Sequence, residues 1–239
     1  WWANWGYFVN SGGGSFFNAD RTGCALDTPE SIAGLEFYQE LYASGAGVPF
    51  GEDAEPPYKA GTLGMFINGR WATPGAREIT DFNWDVAPLP TGAAPGNNWQ
   101  FWGAYVINAK TADPAAAVKL VQELTSADVQ AQISSLGANI PSRNDPALVQ
   151  EFLTYTPPTN NQAFVDGIQN NPVAEGPLWE GNWPAFDKAS NDTVNALMNG
   201  QITLDQLHNL RPFAGPGGPG GPGGPGGPGG PGGRMHGSG

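Results

Sequence analysis

Tryptophans in polar, loop-like surroundings are the side chains of this sequence best suited to a chemical task. The chain holds nine Trp, twelve Phe and six Tyr among its 239 residues. Aromatic rings stack on the apolar C–H face of a sugar, while nearby amides and carboxylates bind the sugar hydroxyls. Packing inside the core is the alternative, and we expect it for half of these tryptophans or more. The tryptophans that stand near Asn, Gly or Gln rather than within apolar runs are Trp2, Trp5, Trp99, Trp102, Trp179 and Trp183.

Groups suited to catalysis are sparse. The two histidines, His208 and His236, are isolated, so neither a His-based triad nor a zinc site is expected. Residues 12–14 are glycines, but the Lys and Ser or Thr of a phosphate-binding loop do not follow them. The acidic residues within 50–57 lack the ligand spacing of a calcium loop, so a solvated loop is expected there. We predict no catalytic residue, no metal site and no cofactor. A carboxylate pair for glycoside cleavage stays open, and its candidates are Asp85, Glu175, Glu180 and Asp187.

An apolar stretch that ends at a glycine would position one aromatic side chain. The pattern predicts a turn at Gly61, a strand over residues 62–68 that is covered on both faces, a turn at Gly69 and then Trp71. Two further strands are predicted over residues 84–90 and 101–108. An aromatic residue at a strand end is where an open α/β sheet places ligand contacts. Trp71 is therefore either such a contact or a plug in the core.

Helix signals accompany these strands. Capping residues followed by proline or by an apolar stripe predict helices that begin near residues 29, 114, 127 and 146. Further helices are predicted around residues 162–169, 184–198 and 203–210, and residues 5–9 are predicted to form a short buried helix or strand. Because strands alternate with helices, the predicted fold class is α/β.

Composition and charge exclude several classes of partner. The net charge is −12, and the ten Lys and Arg form no cluster, which argues against nucleic acid and against an anionic membrane surface. No apolar run approaches a membrane span. The start at Trp1, without a visible signal peptide, indicates a mature, truncated or excised chain. Cys24 is predicted to be a buried thiol, or half of a disulfide whose partner lies outside the chain. The Pro-Gly-Gly repeat within residues 211–239 predicts a flexible tail, either natural or an engineered spacer.

A set of motifs occurs in a fixed order along residues 1–210. They are FNAD (17–20), LDTPE (26–30), KAGTLGMFINGRW (59–71), FNWDVAPLP (82–90), VINAK (106–110) and GANIPSR (137–143). Together they resemble the family 1 extracellular solute-binding proteins of ABC importers, the maltose-binding-protein-like group that delivers sugars.

The resemblance implies a periplasmic-binding-protein-like fold of two α/β lobes, with a sugar bound between them. It implies that the second lobe is largely present and the first mostly missing. Residues 1–103 would form the first part of the second lobe, residues 104–147 a crossover segment of the first lobe, and residues 148–210 the C-terminal helices of the second. The crossover segment would then expose an apolar face unless something covers it.

The resemblance also implies site residues one by one. Trp71 falls where members stack a tryptophan on sugar, and Trp2 falls near a stacking tyrosine. Trp102 opens the hinge strand, where the family often has glycines, and Trp183 lies near a further stacking position. Arg70 replaces a proline and would hydrogen-bond a hydroxyl or a carboxylate. Packing is the alternative for each of these residues.

The predicted function is binding of a mono- or oligosaccharide for an ABC importer, without enzymatic activity. The implied partners are a carbohydrate and the permease subunits, with membrane contact only through the permease or a lipid anchor outside this chain. The implied location is extracellular or periplasmic. Because one lobe alone would not close on a ligand, we expect weak or no sugar affinity from this chain. A fragment of a polysaccharide-active hydrolase, or an engineered scaffold, is the alternative, and the sequence does not identify the sugar.

Overall fold

The computed structural model describes residues 1–94, 98–137, 139–170, 172–174 and 182–207, which form two compact units. Unit 1 comprises Trp1–Glu40 and the described part of Gly176–Gly239, and unit 2 comprises Leu41–Glu175. The lobe boundaries drawn above at residues 103, 147 and 210 stay predictions. The predicted tail of residues 211–239 and the end of the helix predicted at 203–210 lie outside the described residues.

Helices dominate the described residues, which also contain two short strands. The helices are α1 (Trp2–Ser11), α2 (Pro29–Ala43), α3 (Glu55–Lys59), α4 (Thr73–Ala76), α5 (Pro114–Leu124), α6 (Ala127–Ser135), α7 (Pro146–Thr154), α8 (Gln162–Gln169), α9 (Trp183–Met198) and α10 (Leu204–Leu207). A 3₁₀ turn, Arg70–Ala72, precedes α4, and the strands are β1 (Asn98–Gln100) and β2 (Pro172–Ala174).

The core of unit 1 forms around α1. This helix is apolar on most faces and packs against α9, where the indole nitrogen of Trp5 donates a hydrogen bond to Asn191 Oδ1 at 2.9 Å. The structure thus resolves residues 5–9 as helix. The start of α2 is capped by Thr28, whose Oγ1 accepts the Ser31 amide at 3.3 Å. Buried apolar residues of this unit include Trp2, Val9, Phe16, Leu26, Leu35, Phe186, Val194, Leu197 and Leu207.

In unit 2 the helices begin where the local signals predict. The side chains of Asp113, Ser126 and Asp145 accept first-turn amides of α5, α6 and α7 at 2.9, 3.3 and 2.9 Å. Each bond satisfies one amide that a helix start otherwise leaves unpaired. Helices α6 and α7 pack together, and buried Asn161 at the start of α8 donates to the Tyr155 carbonyl at 2.8 Å.

The three predicted strands are the main correction. Residues 62–68, 84–90 and 101–108 are not in a β ladder among the described residues, where the named strands form one parallel pair, β1 with β2. Met65 is 85% exposed, so the burial on both faces predicted for residues 62–68 is also wrong. An apolar run favours a strand, but the ladder depends on a partner segment that the run itself does not specify. The α/β class is confirmed in a partial, mostly helical form. No helix in the described part of the chain has the length and apolar character needed to cross a membrane.

Candidate functional site

Trp71 presents a half-exposed ring on unit 2. It lies in the 3₁₀ turn Arg70–Ala72, which follows the irregular segment of residues 62–69, and is 46% exposed. Its ring meets that of Phe101 in a T-shaped contact, with centroids 5.2 Å apart and planes at 74°. The ring is thus braced by Phe101 and still partly accessible, as stacking on a ligand requires. Phe101 was missed as a partner because thirty residues of sequence separate it from Trp71 and no local pattern joins them.

Arg70, the residue before Trp71, is buried instead. It is 7% exposed, and its guanidinium carbon lies 4.9 and 5.0 Å from the ring centroids of Phe152 and Phe164. Its Nε, Nη1 and Nη2 atoms have no hydrogen-bond partner in the structure as described. Burial, followed by the nearby charge of Arg77, lowers the pKa of Arg70 to about 10. The side chain therefore stays cationic at neutral pH and is held by aromatic faces rather than by a carboxylate.

Arg77 holds the ends of two helices in the same unit. Its Nε donates to the Pro157 carbonyl at 2.6 Å and its Nη1 to the Gly137 carbonyl at 3.2 Å. Its guanidinium carbon also lies 4.0 Å from the ring centroid of Tyr155, and burial lowers its pKa. Gly137 follows α6 and Tyr155 follows α7, so Arg77 contacts the chain just beyond both helices. Helix α7 also carries Phe152, whose ring packs against Arg70. No local sequence pattern indicates this role, because the carbonyls that Arg77 binds lie 60 and 80 residues further along the chain.

Trp102 projects into solvent. It is 62% exposed, and the extended segment that follows it borders a cavity of about 260 Å³. The polar lining of this cavity already serves the backbone, since Gln130 bonds the Leu124 carbonyl and Arg143 Nε donates to the Thr125 carbonyl at 2.7 Å. Trp102 is accessible to a ligand, but its described surroundings do not assemble a set of free polar groups beside it.

Trp2 and Trp183 meet in unit 1. Their ring centroids are 5.6 Å apart at 88°, and Trp2 also contacts Phe16 at 6.1 Å. Trp2 is only 6% exposed, so it is a core residue, whereas Trp183 is half-buried. Trp1, whose ring lies 5.7 Å from that of Trp2, is exposed and was not predicted as a site residue. The structure therefore joins two predicted residues in one cluster, apart in sequence but within one compact unit.

The carboxylates considered for catalysis do not form a described pair. Asp85 Oδ1 accepts the amides of Val86 and Asn160, each at 2.9 Å, and Asp187 Oδ1 accepts Asn191 Nδ2 at 2.6 Å. Asp85 belongs to unit 2 and Asp187 to unit 1. Further residues considered for catalysis or stacking lie outside the described residues, namely Glu175, Glu180, Trp179, His208 and His236. Within the described residues, no cluster of three or more His, Cys, Asp or Glu is placed to hold a metal.

Cys24 is a free, half-buried thiol. Burial raises its pKa to about 12, and its Sγ accepts the Leu26 amide at 3.4 Å. The thiolate is the reactive form of cysteine, so this side chain is chemically quiet at neutral pH.

The chain matches the family model described as bacterial extracellular solute-binding protein over residues 1–157. A comparison with curated proteins gives no match.

Solved structures of sugar-binding proteins share the fold. An ABC substrate-binding protein of Listeria monocytogenes in complex with cycloalternan is 18% identical, with a TM-score of 0.74 over 87% of this chain and 54% of that one. The GacH receptor of Streptomyces glaucescens, solved unliganded and with acarbose, is 19% identical, with a TM-score of 0.68 over 84% and 53%. The maltose-maltodextrin binding protein of Alicyclobacillus acidocaldarius is 22% identical, with a TM-score of 0.62 over 85% and 56%. The chain thus spans about half the length of these two-lobed proteins.

Proposed function

Because this chain belongs to the bacterial extracellular solute-binding protein family, we propose that it is the sugar-contacting portion of an ABC importer's substrate-binding protein. The extracellular or periplasmic location predicted from the sequence agrees with a family that is extracellular. Members of this family bind solutes and are not enzymes. The proposed ligand is a mono- or oligosaccharide, in keeping with the cycloalternan and acarbose held by the two proteins named above. The proposed partners are the permease subunits.

One observation carries the proposal of a sugar, namely the exposed ring of Trp71 braced against Phe101. A pyranose presents an apolar C–H face, and a flat indole offers a matching surface with little conformational freedom to lose. Trp71 is therefore the proposed main stacking residue. Trp183, backed by buried Trp2, is the proposed second aromatic surface, and Trp102 is a third that needs no rearrangement to reach a ligand.

The role proposed for Arg70 is indirect and acts through its neighbour Trp71. Its guanidinium is buried between Phe152 and Phe164, so a direct bond to a sugar hydroxyl would require it to leave those rings. We propose that Arg70 anchors the turn from which Trp71 projects. A direct ligand contact by Arg70 stays a prediction for a rearranged, ligand-bound state.

The test is sugar binding by this chain, with Trp71→Ala as the variant and Phe37→Ala as the matched control. Phe37 is also an exposed aromatic residue, but it lies on α2 in unit 1. A panel of mono- and oligosaccharides would be titrated by NMR up to the solubility of each sugar, because we expect weak binding. Saturable shifts that persist in Phe37→Ala and vanish in Trp71→Ala support the proposal. Equal binding by both variants, or no binding by the folded chain, contradicts a working half-site at Trp71.

The hydrolase alternative has a separate readout. Turnover of an aryl glycoside that is lost on Asp85→Asn or Asp187→Asn would favour it over pure binding.

A further inference from the structure

The backbone conformation at position 69 does not require a glycine. Its φ of −83° and ψ of 170° lie in the extended region that any L-amino acid adopts. It is therefore not there to supply a positive φ, the usual reason for glycine in a turn. Gly61, which precedes the same irregular segment, does have a positive φ of 71°.

The space beside Gly69 is filled by Trp71. A Cβ added at Gly69 would approach the indole atoms Cε3, Cζ3 and Cη2, all of them nearer than the 3.0 Å that real Cβ atoms essentially never breach. These are three consecutive atoms of the six-membered ring, and their distances from the added Cβ are nearly equal. A point beside the ring edge would be much closer to the middle atom than to the outer two. The Gly69 α-carbon therefore lies against the face of the ring.

We propose that Gly69 is a positioning residue that sets the pose of Trp71 and leaves one face of its indole for the ligand. The backbone at Gly69 covers one face of the six-membered ring, and Phe101 holds the ring in a T-shaped contact. A sugar ring then stacks on the opposite face only, so Trp71 takes a single pyranose and is not inserted between two. This inference rests on the proposed function, because it assigns the geometry of stacking at that same site.

Any side chain at position 69 would displace the ring. An indole is rigid and braced, so it cannot yield as the end of a flexible side chain does. Gly64 provides the matched control, since it lies in the same irregular segment and a Cβ there meets nothing within 4 Å. Gly69→Ala is expected to weaken sugar binding about threefold to tenfold, the range of one aromatic contact, and Gly64→Ala to leave it unchanged.

The pose is tested first without sugar. Protons above an aromatic ring resonate upfield, so the α-protons of Gly69 should be shifted upfield in the folded chain and return to ordinary positions in Trp71→Leu. The indole N–H resonance of Trp71, assigned by its loss in Trp71→Leu, should move in Gly69→Ala and stay in place in Gly64→Ala. Ordinary α-proton shifts of Gly69 in the wild-type chain would overturn the inference. Because this measurement needs no substitution at position 69, a poorly folded variant does not obscure the result.

Sugar binding then tests the consequence. Gly69→Ala should weaken binding and Gly64→Ala should not, because a Cβ at Gly69 meets the indole of Trp71 whereas a Cβ at Gly64 meets nothing within 4 Å. A confirmed pose with unchanged affinity in Gly69→Ala would overturn the positioning role. Absence of sugar binding by the wild-type chain would instead overturn the proposed half-site at Trp71, and with it the single-face stacking, while the shifts of Gly69 would still report the position of the ring.

Discussion

Arg70 and Trp71 are adjacent residues with opposite surroundings, one buried in unit 2 and the other half-exposed on it. The 3₁₀ turn that contains them explains the difference. With three residues per turn, successive side chains point about 120° apart, so one can anchor the turn inside while the next projects outward. The position of the exposed ring therefore depends on the buried cation before it.

Replacing Arg70 by methionine should leave the free energy of unfolding unchanged or raise it. The folded-state pKa lies below the ordinary value, so the charged form costs stability at every pH below about 10, including neutral pH. Methionine is shorter, but it is a flexible apolar side chain suited to aromatic surroundings, and it removes the three unpaired N–H-bearing atoms. Arg77→Met is the matched comparison, and it should lower stability by about 1–3 kcal/mol because it removes bonds to the Pro157 and Gly137 carbonyls. Urea denaturation of both variants measures the contrast, and a larger loss from Arg70→Met than from Arg77→Met would contradict it.

At the scale of the helices, the close approach of α1 and α2 depends on Gly34. A Cβ at Gly34 would lie 2.8 Å from the Phe8 carbonyl carbon and 2.8 Å from Val9 Cα, and both of those atoms are backbone of α1. The sequence predicts a helix that begins near residue 29, but this glycine was not identified as a packing residue. A glycine in the middle of a helix is itself a signal, because it lowers helix stability unless packing uses the missing side chain.

Gly34→Ala should therefore destabilise unit 1 although alanine favours helix. The added methyl group meets backbone, which cannot rotate away, and overpacking of this kind costs about 1–3 kcal/mol. Ala33→Ser, at an exposed position of the same helix, is the control and should change stability little. Thermal unfolding followed by circular dichroism compares the two, and a Gly34→Ala variant as stable as wild type would show that the helices can separate without loss.

The helices were predictable from the sequence and the sheet was not. Asp113, Ser126 and Asp145 each signal a helix start within three residues of the amide they bind, so the information is local. The ladder of β1 and β2 joins Trp99 to Val173, and no local pattern encodes that pairing. The candidate site shows the same division, because the glycine turn before Trp71 was predicted, whereas its contact with Phe101 depends on the tertiary fold.

At the scale of the whole molecule, the stretch from residue 101 to 136 leaves unusual apolar area in contact with water. Helix α5 has no buried residue, and the extended segment before it is equally open. The resemblance implies an apolar face on residues 104–147, and the assignment of those residues to the first lobe stays a prediction. Exposed apolar area on this scale attracts other apolar surfaces and lowers solubility. The large side chains concerned are Trp102, Tyr105, Val106, Ile107, Val118, Leu120 and Leu136.

A folded chain with this surface should bind the apolar dye anilinonaphthalene sulfonate. Val106→Ser should reduce the dye fluorescence, because Val106 is among the most exposed of these side chains and contributes apolar area directly. Gln122→Ser, at an exposed polar position of α5, should leave the signal unchanged. Both variants must retain the circular dichroism spectrum of the wild type. Dye fluorescence no higher than that of the dye in buffer would contradict the exposure described above.

The way unit 1 is assembled from both ends of the described chain has a consequence for synthesis. Trp5 of α1 bonds Asn191 of α9, and the continuous stretch Leu41–Glu175 that forms unit 2 lies between them in sequence. A ribosome releases the chain from its N-terminus, so α1 emerges long before the helix that buries it. Unit 2, although second in sequence, is the first that can be completed. The side of α1 that packs against α2 can be covered as soon as α2 emerges, but the bond from Trp5 to Asn191 must wait until all of unit 2 has been translated.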